Sequence, residues 1–326
     1  MRIATLSFLV TLGACQDYNF SDGPQIDHTP VGYQPEDESV TDVLRQRDPV
    51  DQVDVLWVID NSCSMQDDQD ELTAAFPEFM NFFIGLSDLD YHIGVVSTDM
   101  YDSGEGMGQL READGYRWID RNVPDPIPYF DIMANMGTNG SGDEMGRAGA
   151  YHALETQRED VNAGFIRDDA FLSVVVISDE DDSSDMDGVD SDLFIDFMDN
   201  FKREPGMVSY STIVGPTPDG CTSADAGYGY EAVQKSIGGV FWSICDNQWD
   251  RLLEELAMAA AGMKQEFYLT RQPIVDTLKV EVHESGVISD FDLDRDYVYD
   301  AERNSIRFLD YVPQPYAEVI VSYDVE

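Results

Sequence analysis

Basic side chains are scarce in this sequence of 326 residues: 19 lysines and arginines stand against 65 aspartates and glutamates, and the formal net charge is −46. A surface this negative repels phosphate backbones, so nucleic acid is not expected as a partner. Hydrophobic residues make up 43% of the chain and aromatic residues 11%, which is enough for a packed core and argues against global disorder. The acidity therefore indicates a folded protein with a strongly solvated exterior.

Long apolar segments are also absent, because no stretch reaches the roughly 18 residues that a membrane-spanning helix needs. The N-terminus has Arg2, a short apolar segment over residues 3–12, and then Gly13, Ala14 and Cys15. This order resembles the signal peptide and lipobox of bacterial lipoproteins, with a plain secretory signal as the alternative. The resemblance implies that Cys15 is lipidated and anchors the protein, and Gln16 after it implies the outer membrane, facing the periplasm or the cell surface.

Only four cysteines are present. Cys221 and Cys245 lie in the same late region of the chain, and an exported protein is in an oxidising compartment, so we predict a disulfide between them. Cys63 is expected to stay a free, partly shielded thiol. The sequence places no recognisable base beside it, as a catalytic cysteine would require.

The chain divides by pattern into segments after residue 15. Residues 16–50 carry Pro, Gly, Asp and Ser without a period and predict a flexible acidic tether. Residues 51–264 alternate apolar strands with amphipathic helices, which predicts a doubly wound, mostly parallel α/β sheet. The predicted strands are Val53–Ile59, Ile93–Val96, Phe171–Ile177 and Tyr210–Val214, and the predicted helices are Asp67–Leu86, Glu144–Glu155, Asp192–Phe201, Tyr228–Ile237 and Gln248–Met263.

Two further segments have other patterns. Residues 265–326 alternate apolar and polar side chains, as at Leu278, Val280 and Val282, and predict a small antiparallel β module. Asp102–Met136 lacks a period and is expected to be an irregular loop with one short edge strand at Tyr116–Ile119.

Oxygen-bearing side chains follow the predicted strands. Asp60, Ser62 and Ser64 alternate directly after the first strand, Asp179 follows the strand that ends near residue 177, and Thr138 lies in a glycine-rich turn that opens a helix. Ligands of open α/β sheets bind at the carboxyl ends of the strands, where these residues would meet. Such a set suits a hard divalent cation, Mg²⁺ by preference and Mn²⁺ or Ca²⁺ as substitutes. Neutral hydroxyls would leave the ion positive character and an open position for a partner's carboxylate.

This arrangement resembles the metal-ion-dependent adhesion site (MIDAS) of von Willebrand factor type A (VWA) domains, with its Asp-x-Ser-x-Ser motif, a threonine and a later aspartate. The resemblance covers about residues 53–264 and implies a VWA fold. It also implies that the metal ligands are Asp60, Ser62, Ser64, Thr138, with Ser141 as a possible substitute for the threonine, and Asp179. The function expected is divalent-metal-dependent protein binding, in adhesion or scaffolding, by a lipid-anchored protein outside the cytoplasm that is not an enzyme.

Two other functions compete with this one. A structural envelope protein could carry the same residues as a vestigial metal site. A phosphotransfer or hydrolase enzyme could use Asp60, but that chemistry would need an acid/base Asp two residues later, where Ser62 stands. The acidic loop at residues 181–192 is expected to be a solvated loop, with a second calcium site as the alternative, because it lacks the glutamate that closes an EF-hand loop.

Overall fold

A computed structural model describes residues 38–46, 50–85, 89–101, 106–203, 206–246, 248–301, 303–309 and 311–325. The signal segment with Cys15, and the tether up to residue 37, lie outside the described residues. Lipidation, the outer-membrane location and the tether over that stretch therefore stay predictions.

The described residues form twelve strands and six α-helices. The strands are β1 (Glu38–Arg45), β2 (Gln52–Ile59), β3 (Asp90–Ser97), β4 (Phe171–Ser178), β5 (Val208–Val214), β6 (Phe241–Ser243), β7 (Glu266–Tyr268), β8 (Lys279–Glu284), β9 (Val287–Phe291), β10 (Tyr297–Asp300), β11 (Ser305–Phe308) and β12 (Glu318–Val325). The helices are α1 (Gln66–Gly85), α2 (Pro126–Ala134), α3 (Gly146–Tyr151), α4 (Ser191–Asp199), α5 (Tyr228–Ile237) and α6 (Trp249–Ala260). In this part of the chain, none of the helices has the length and apolarity needed to cross a bilayer.

A five-stranded parallel sheet in the order β3-β2-β4-β5-β6 forms the centre of the α/β region. Alternate residues of β2 enter opposite cores, since Val55 and Trp57 pack with α1, α2 and α6, whereas Leu56 and Val58 pack with α3, α4 and α5. Burial on both faces explains why these strands are mostly apolar rather than alternating. The doubly wound α/β fold predicted from the sequence is confirmed.

Helix α2 corrects the expectation of an irregular loop over Asp102–Met136. Proline at its first position suits a helix start, because that residue has no intrahelical partner for an N–H group. The ring of Phe130 then packs edge-on against Trp57, with ring centroids 5.6 Å apart. Tertiary packing of this apolar face stabilises a helix that its short sequence did not indicate.

Two other predicted elements differ from the structure. The expected edge strand at Tyr116–Ile119 is wrong: Ile119 makes one isolated antiparallel bridge to Ile93, and Tyr116 bridges only to Ala113. The expected helix Glu144–Glu155 begins two residues later, at Gly146, and passes into a π-helical turn over residues 152–156.

The C-terminal residues form two antiparallel sheets, in the orders β1-β12-β8-β9 and β10-β11-β7. The β1 strand is a correction, because residues 38–45 were predicted to belong to the tether. It pairs along its whole length with β12, from Glu38 opposite Val325 to Arg45 opposite Glu318. Its burial alternates as in a half-buried strand, with Val40, Asp42 and Leu44 turned inward and Ser39, Thr41, Val43 and Arg45 turned outward. The buried acid Asp42 and the exposed Val43 interrupt the apolar-polar alternation that would have indicated a strand.

Removing the Asp42 carboxylate is expected to destabilise this module. Asp42 is buried in β1, where it accepts hydrogen bonds from the Thr270 N–H at 2.9 Å, the Thr270 hydroxyl at 2.6 Å and the Tyr323 hydroxyl at 2.7 Å. Asp42→Ala leaves these donors without their acceptor and should lower the free energy of unfolding by about 2–4 kcal/mol in urea titrations. Asp42→Asn keeps one acceptor and should cost less; equal stability of all three proteins would contradict a structural role for β1.

Candidate metal centre

The candidate site lies where β2 and β4 end side by side. The two strands are parallel and in register up to Ile59 opposite Ile177, and the Asp60 N–H then donates to the Ile177 carbonyl at 3.0 Å. This pairing brings Asp60 next to Ser178 and Asp179 although more than a hundred residues separate them. The sequence-based placement of Asp60 and Asp179 at one edge of the sheet therefore agrees with the register of the strands.

Asp60 is fully buried and held from two sides. Its Oδ1 accepts the Ser62 N–H at 2.7 Å, and its Oδ2 accepts the Ser178 hydroxyl, also at 2.7 Å. Burial raises the pKa of Asp60 above its usual value, and the hydrogen bonds from Ser178 and Ser62 offset only part of that increase. The carboxylate is thus oriented in advance, and among the described residues no basic side chain compensates its charge.

The two serines of the motif connect Asp60 to Asp179. The hydroxyl oxygens of Ser62 and Ser64 are 3.2 Å apart, and Ser64 lies close enough to the Asp179 carboxylate to lower its pKa. Asp179 is only 4% exposed, and its Oδ1 has no hydrogen-bond partner among the described residues. Burial and then the charge of Asp60 raise the pKa of Asp179, against the hydrogen bond from Ser64, which lowers it.

Thr138 lies in a loop whose backbone reaches the Asp60 segment. Gln69 Nε2 donates both to the Asp60 carbonyl at 2.9 Å and to the Gly137 carbonyl at 3.1 Å, and the Gly140 N–H donates to the Asn61 carbonyl at 2.9 Å. The Thr138 side chain itself is half-buried and hydrogen-bonds none of the described residues. Its loop is therefore next to the site, but its hydroxyl is not tied to the other predicted ligands.

Glu144 is a site residue that the sequence reasoning missed. It precedes α3, is 1% exposed, and lies close enough to Asp60 for the two carboxyl groups to influence each other's pKa. The Thr98 hydroxyl donates to Glu144 Oε2, whereas Oε1 accepts no hydrogen bond from the described residues. Burial and then the charge of Asp60 raise the pKa of Glu144 to about 9.

Little in the sequence distinguishes Glu144 from an ordinary acidic residue at a helix start, where carboxylates are common because they face the positive end of the helix dipole. The signal available in the sequence was that Glu144 lies between a glycine-rich turn and an apolar residue, Met145. In the structure Met145 is buried, and this position places the Glu144 side chain under the sheet edge rather than in solvent.

The rim of the site is acidic as well. Burial, followed by the charge of Asp179, raises the pKa of Asp68 to about 7. Burial and the charge of Asp60 likewise raise the pKa of Glu180, and Asp225 adds to that increase. Mutual repulsion of this kind is relieved by a bound cation.

These residues fit a divalent cation held by oxygen atoms of mixed type. Among the described residues, no group of three or more His, Cys, Asp or Glu side chains is placed to hold a metal by itself, so serine hydroxyls have to complete the set. The buried oxygens Asp179 Oδ1 and Glu144 Oε1 lack donors. Unpartnered buried carboxylate oxygens are costly unless a cation satisfies them.

Gly140 is expected to be sensitive because it packs against the motif loop. A Cβ at this position would lie 2.2 Å from Asn61 Oδ1, which accepts the Ser97 hydroxyl at 2.9 Å, so Gly140→Ala must displace that side chain. Metal affinity by titration calorimetry should fall about tenfold, as for other changes that disturb ligand orientation. Gly142→Ala is the matched control, since nothing lies within 4 Å of its Cβ; equal effects of both changes would contradict the role given to Gly140.

The predicted disulfide is confirmed: Cys221 and Cys245 are bonded. Cys63 is free, as expected, but it is exposed rather than partly shielded. The disulfide closes a loop that borders the site, because the Cys221 N–H donates to the Ala224 carbonyl and the Asp225 N–H donates to the Asp179 carbonyl, each at 2.8 Å. The disulfide therefore also helps to position the backbone of Asp179, a candidate ligand.

No protein-family model matches the chain, and no curated protein matches it significantly. Solved structures match it at low similarity. A von Willebrand factor type A protein from Catenulispora acidiphila is 11% identical, with a TM-score of 0.43, 89% of this chain covered and 66% of that one. The pilus adhesin SpaC from Lactobacillus rhamnosus GG is 10% identical, with a TM-score of 0.42 and coverage of 88% and 40%.

A third match is proximal thread matrix protein 1 from the mussel byssus, in a structure with a zinc-occupied MIDAS motif. It is 15% identical, with a TM-score of 0.40, 71% of this chain covered and 52% of that one. The chain thus spans less than two thirds of the length of these proteins. One of these proteins is of the VWA type, the class that the sequence motif suggests. The fold of this chain is assigned from the observed five-stranded sheet.

Proposed function

We propose that this chain is a protein-binding module, not an enzyme, that holds a divalent cation at Asp60, Ser62, Ser64 and Asp179. The observation that supports the proposal is the buried Asp179 Oδ1, which lacks a donor among the described residues while the same carboxylate is linked through Ser64 to the Asp60 loop. A cation at this point would satisfy that oxygen and reduce the repulsion between the two acids.

The residues of the chain would contribute to binding only by holding the ligand side chains in position. Ser178 and the Ser62 N–H fix both oxygens of Asp60, and Gln69 ties the motif loop to the glycine-rich loop. When bound, the cation would supply a positive centre that accepts an oxygen donor from another protein. The hydrogen bonds around Asp60 orient it as a ligand, which favours binding over hydrolysis.

The partner group proposed is the carboxylate expected from the sequence. The acidic rim at Asp68, Glu180 and Asp225 would repel an acidic surface around it, so the carboxylate should be flanked by basic residues. Cys15 would hold the module at the outer membrane through its lipid, and residues 16–37 would separate the module from the bilayer. Mg²⁺ is the cation expected from the hydroxyl-rich motif, with Mn²⁺ or Ca²⁺ as substitutes.

A pull-down from envelope extracts tests this proposal with the full chain as bait. Wild-type protein in Mg²⁺ should capture a protein that EDTA releases and that the Asp60→Asn protein fails to capture. Capture that is the same in Mg²⁺ and in EDTA would contradict the metal-bridged mechanism. Absence of any Mg²⁺, Mn²⁺ or Ca²⁺ binding by calorimetry would instead favour a structural protein with a vestigial site.

A further inference from the structure

We infer that Glu144, rather than Thr138, is the ligand that the third loop contributes to the cation. The inference rests on the proposed function, because it concerns the same site. It replaces the neutral hydroxyl expected from the sequence motif with a carboxylate. Because no three acidic side chains of the described residues are placed to hold a metal by themselves, Glu144 would act together with the serine hydroxyls of the Asp60 motif.

The position of Glu144 supports this assignment. Its side chain is almost fully buried, and the hydrogen bond that it accepts from Thr98 places it at the sheet edge where Asp60 lies. The Thr98 N–H donates to the Ile59 carbonyl at 3.2 Å, so Thr98 follows β3 at the same sheet edge as Asp60, and its hydroxyl orients Glu144 Oε2. Oε1 is left buried without a partner in the described part of the chain, as a ligand oxygen would be before the cation arrives.

The backbone also fixes Glu144 at this point. The Ser183 N–H donates to the Glu144 carbonyl at 2.6 Å, and the Met145 N–H donates to the Thr98 carbonyl at 3.2 Å. These bonds tie the start of α3 both to the β3 end and to the loop after Asp179. A ligand on such a braced segment keeps its geometry better than one on a free loop.

Thr138 lacks comparable support. Its loop contacts the motif through the backbone of Gly137 and Gly140, and its side chain is half-buried, without a hydrogen bond to any described residue. Ser141, the other hydroxyl of that loop, already accepts the Asp143 N–H at 3.0 Å. Within the described residues, Glu144 is thus the side chain of this segment with a free oxygen beside Asp60.

Calorimetric titration of the full chain with MgCl₂ and with CaCl₂ separates the two assignments. Glu144→Gln keeps the size of the side chain and an oxygen for Thr98 but removes the charge, and it should weaken binding of whichever cation the wild type binds by about tenfold or more. Thr138→Val keeps the shape and removes the hydroxyl, and it should bind the cation like the wild type. Circular dichroism checks that each variant is folded.

Wild-type affinity in Glu144→Gln, or a loss in Thr138→Val as large as that in Glu144→Gln, would overturn the inference. If Glu144→Gln is unfolded, Glu144→Asp keeps the charge and withdraws it by one methylene, and the same loss is expected. A wild-type chain that binds neither cation would count against both this inference and the proposed function, whereas tight wild-type binding that Glu144→Gln leaves unchanged would remove the inference alone.

Discussion

Asp60→Asn is expected to abolish cation binding while the fold persists. Asparagine has the same shape, its oxygen can still accept the Ser62 N–H, and its amide can donate to Ser178, so the loop keeps its hydrogen bonds. The charge that faces the cation is lost. Removal of a charged ligand should lower the affinity by more than the 10- to 100-fold typical of supporting residues, so we expect a loss on the order of a hundredfold or more.

Thermal unfolding provides a second measure of the same change. A cation that binds only the folded chain stabilises it by about 2.7 kcal/mol at a hundred times its Kd, which raises Tm by about 5 °C or more for a domain of this size. Wild-type protein should show this increase in Mg²⁺ or Ca²⁺ and lose it in EDTA, whereas Asp60→Asn should show none. The exposed Asp290→Asn is the matched control and should behave like the wild type.

A cation-induced increase in Tm that survives in Asp60→Asn would place the cation elsewhere, for instance in the acidic loop at residues 181–192. If the cation stabilises neither protein at any concentration, the site does not bind Mg²⁺ or Ca²⁺. Its carboxylates would then stay protonated or continue to repel one another.

Loss of the Cys221–Cys245 disulfide should be the largest change in stability that arises outside the carboxylates. The bridge joins residues 24 apart in sequence, and closing a loop of that size in the unfolded chain contributes about 3 kcal/mol. A Cys221→Ser/Cys245→Ser double variant should therefore unfold at a correspondingly lower urea concentration. Dithiothreitol should destabilise the wild type by the same amount and leave the double variant unchanged.

Cys63→Ser serves as the control for this experiment, because Cys63 is exposed and free. It should leave the unfolding midpoint unchanged and prevents thiol exchange during refolding. Equal midpoints for the oxidised wild type and the double variant would contradict a stabilising role for the bridge. Since Asp225 in the closed loop hydrogen-bonds the Asp179 carbonyl, the double variant should also bind the cation more weakly.

The parallel sheet and the positions of Asp60 and Asp179 could be predicted because both depend on local patterns. Strands buried on two faces are mostly apolar, as β2 and β4 are despite the buried polar residues Asp54 and Ser173. Parallel strands also bring the residues that follow them to one edge. Helix α2 could not be predicted, because Phe130 gains its stability from contact with Trp57 in a distant strand. The β1 strand was missed since its partner, β12, lies at the opposite end of the sequence.

In the candidate site, too, some residues follow from a local pattern and others depend on contacts between distant segments. The alternation of Asp60, Ser62 and Ser64 is a local signal, whereas the third loop could be chosen only by the residue type expected from the family motif. Thr138 satisfied that expectation, and Glu144 did not. Which of them contacts Asp60 depends on how the start of α3 is attached to Thr98 and Ser183, and these contacts between distant segments leave no pattern in a single sequence.

The most direct test of the account is anomalous diffraction from crystals of the protein grown with MnCl₂. We expect one strong manganese peak beyond the carboxyl ends of β2 and β4, within about 2.0–2.4 Å of side-chain oxygens from the Asp60 loop, with Asp179 bound directly or through a water. Manganese peaks found only elsewhere on the protein, with the Asp60 loop free of metal at saturating MnCl₂, would contradict the claim that these loops converge on a cation.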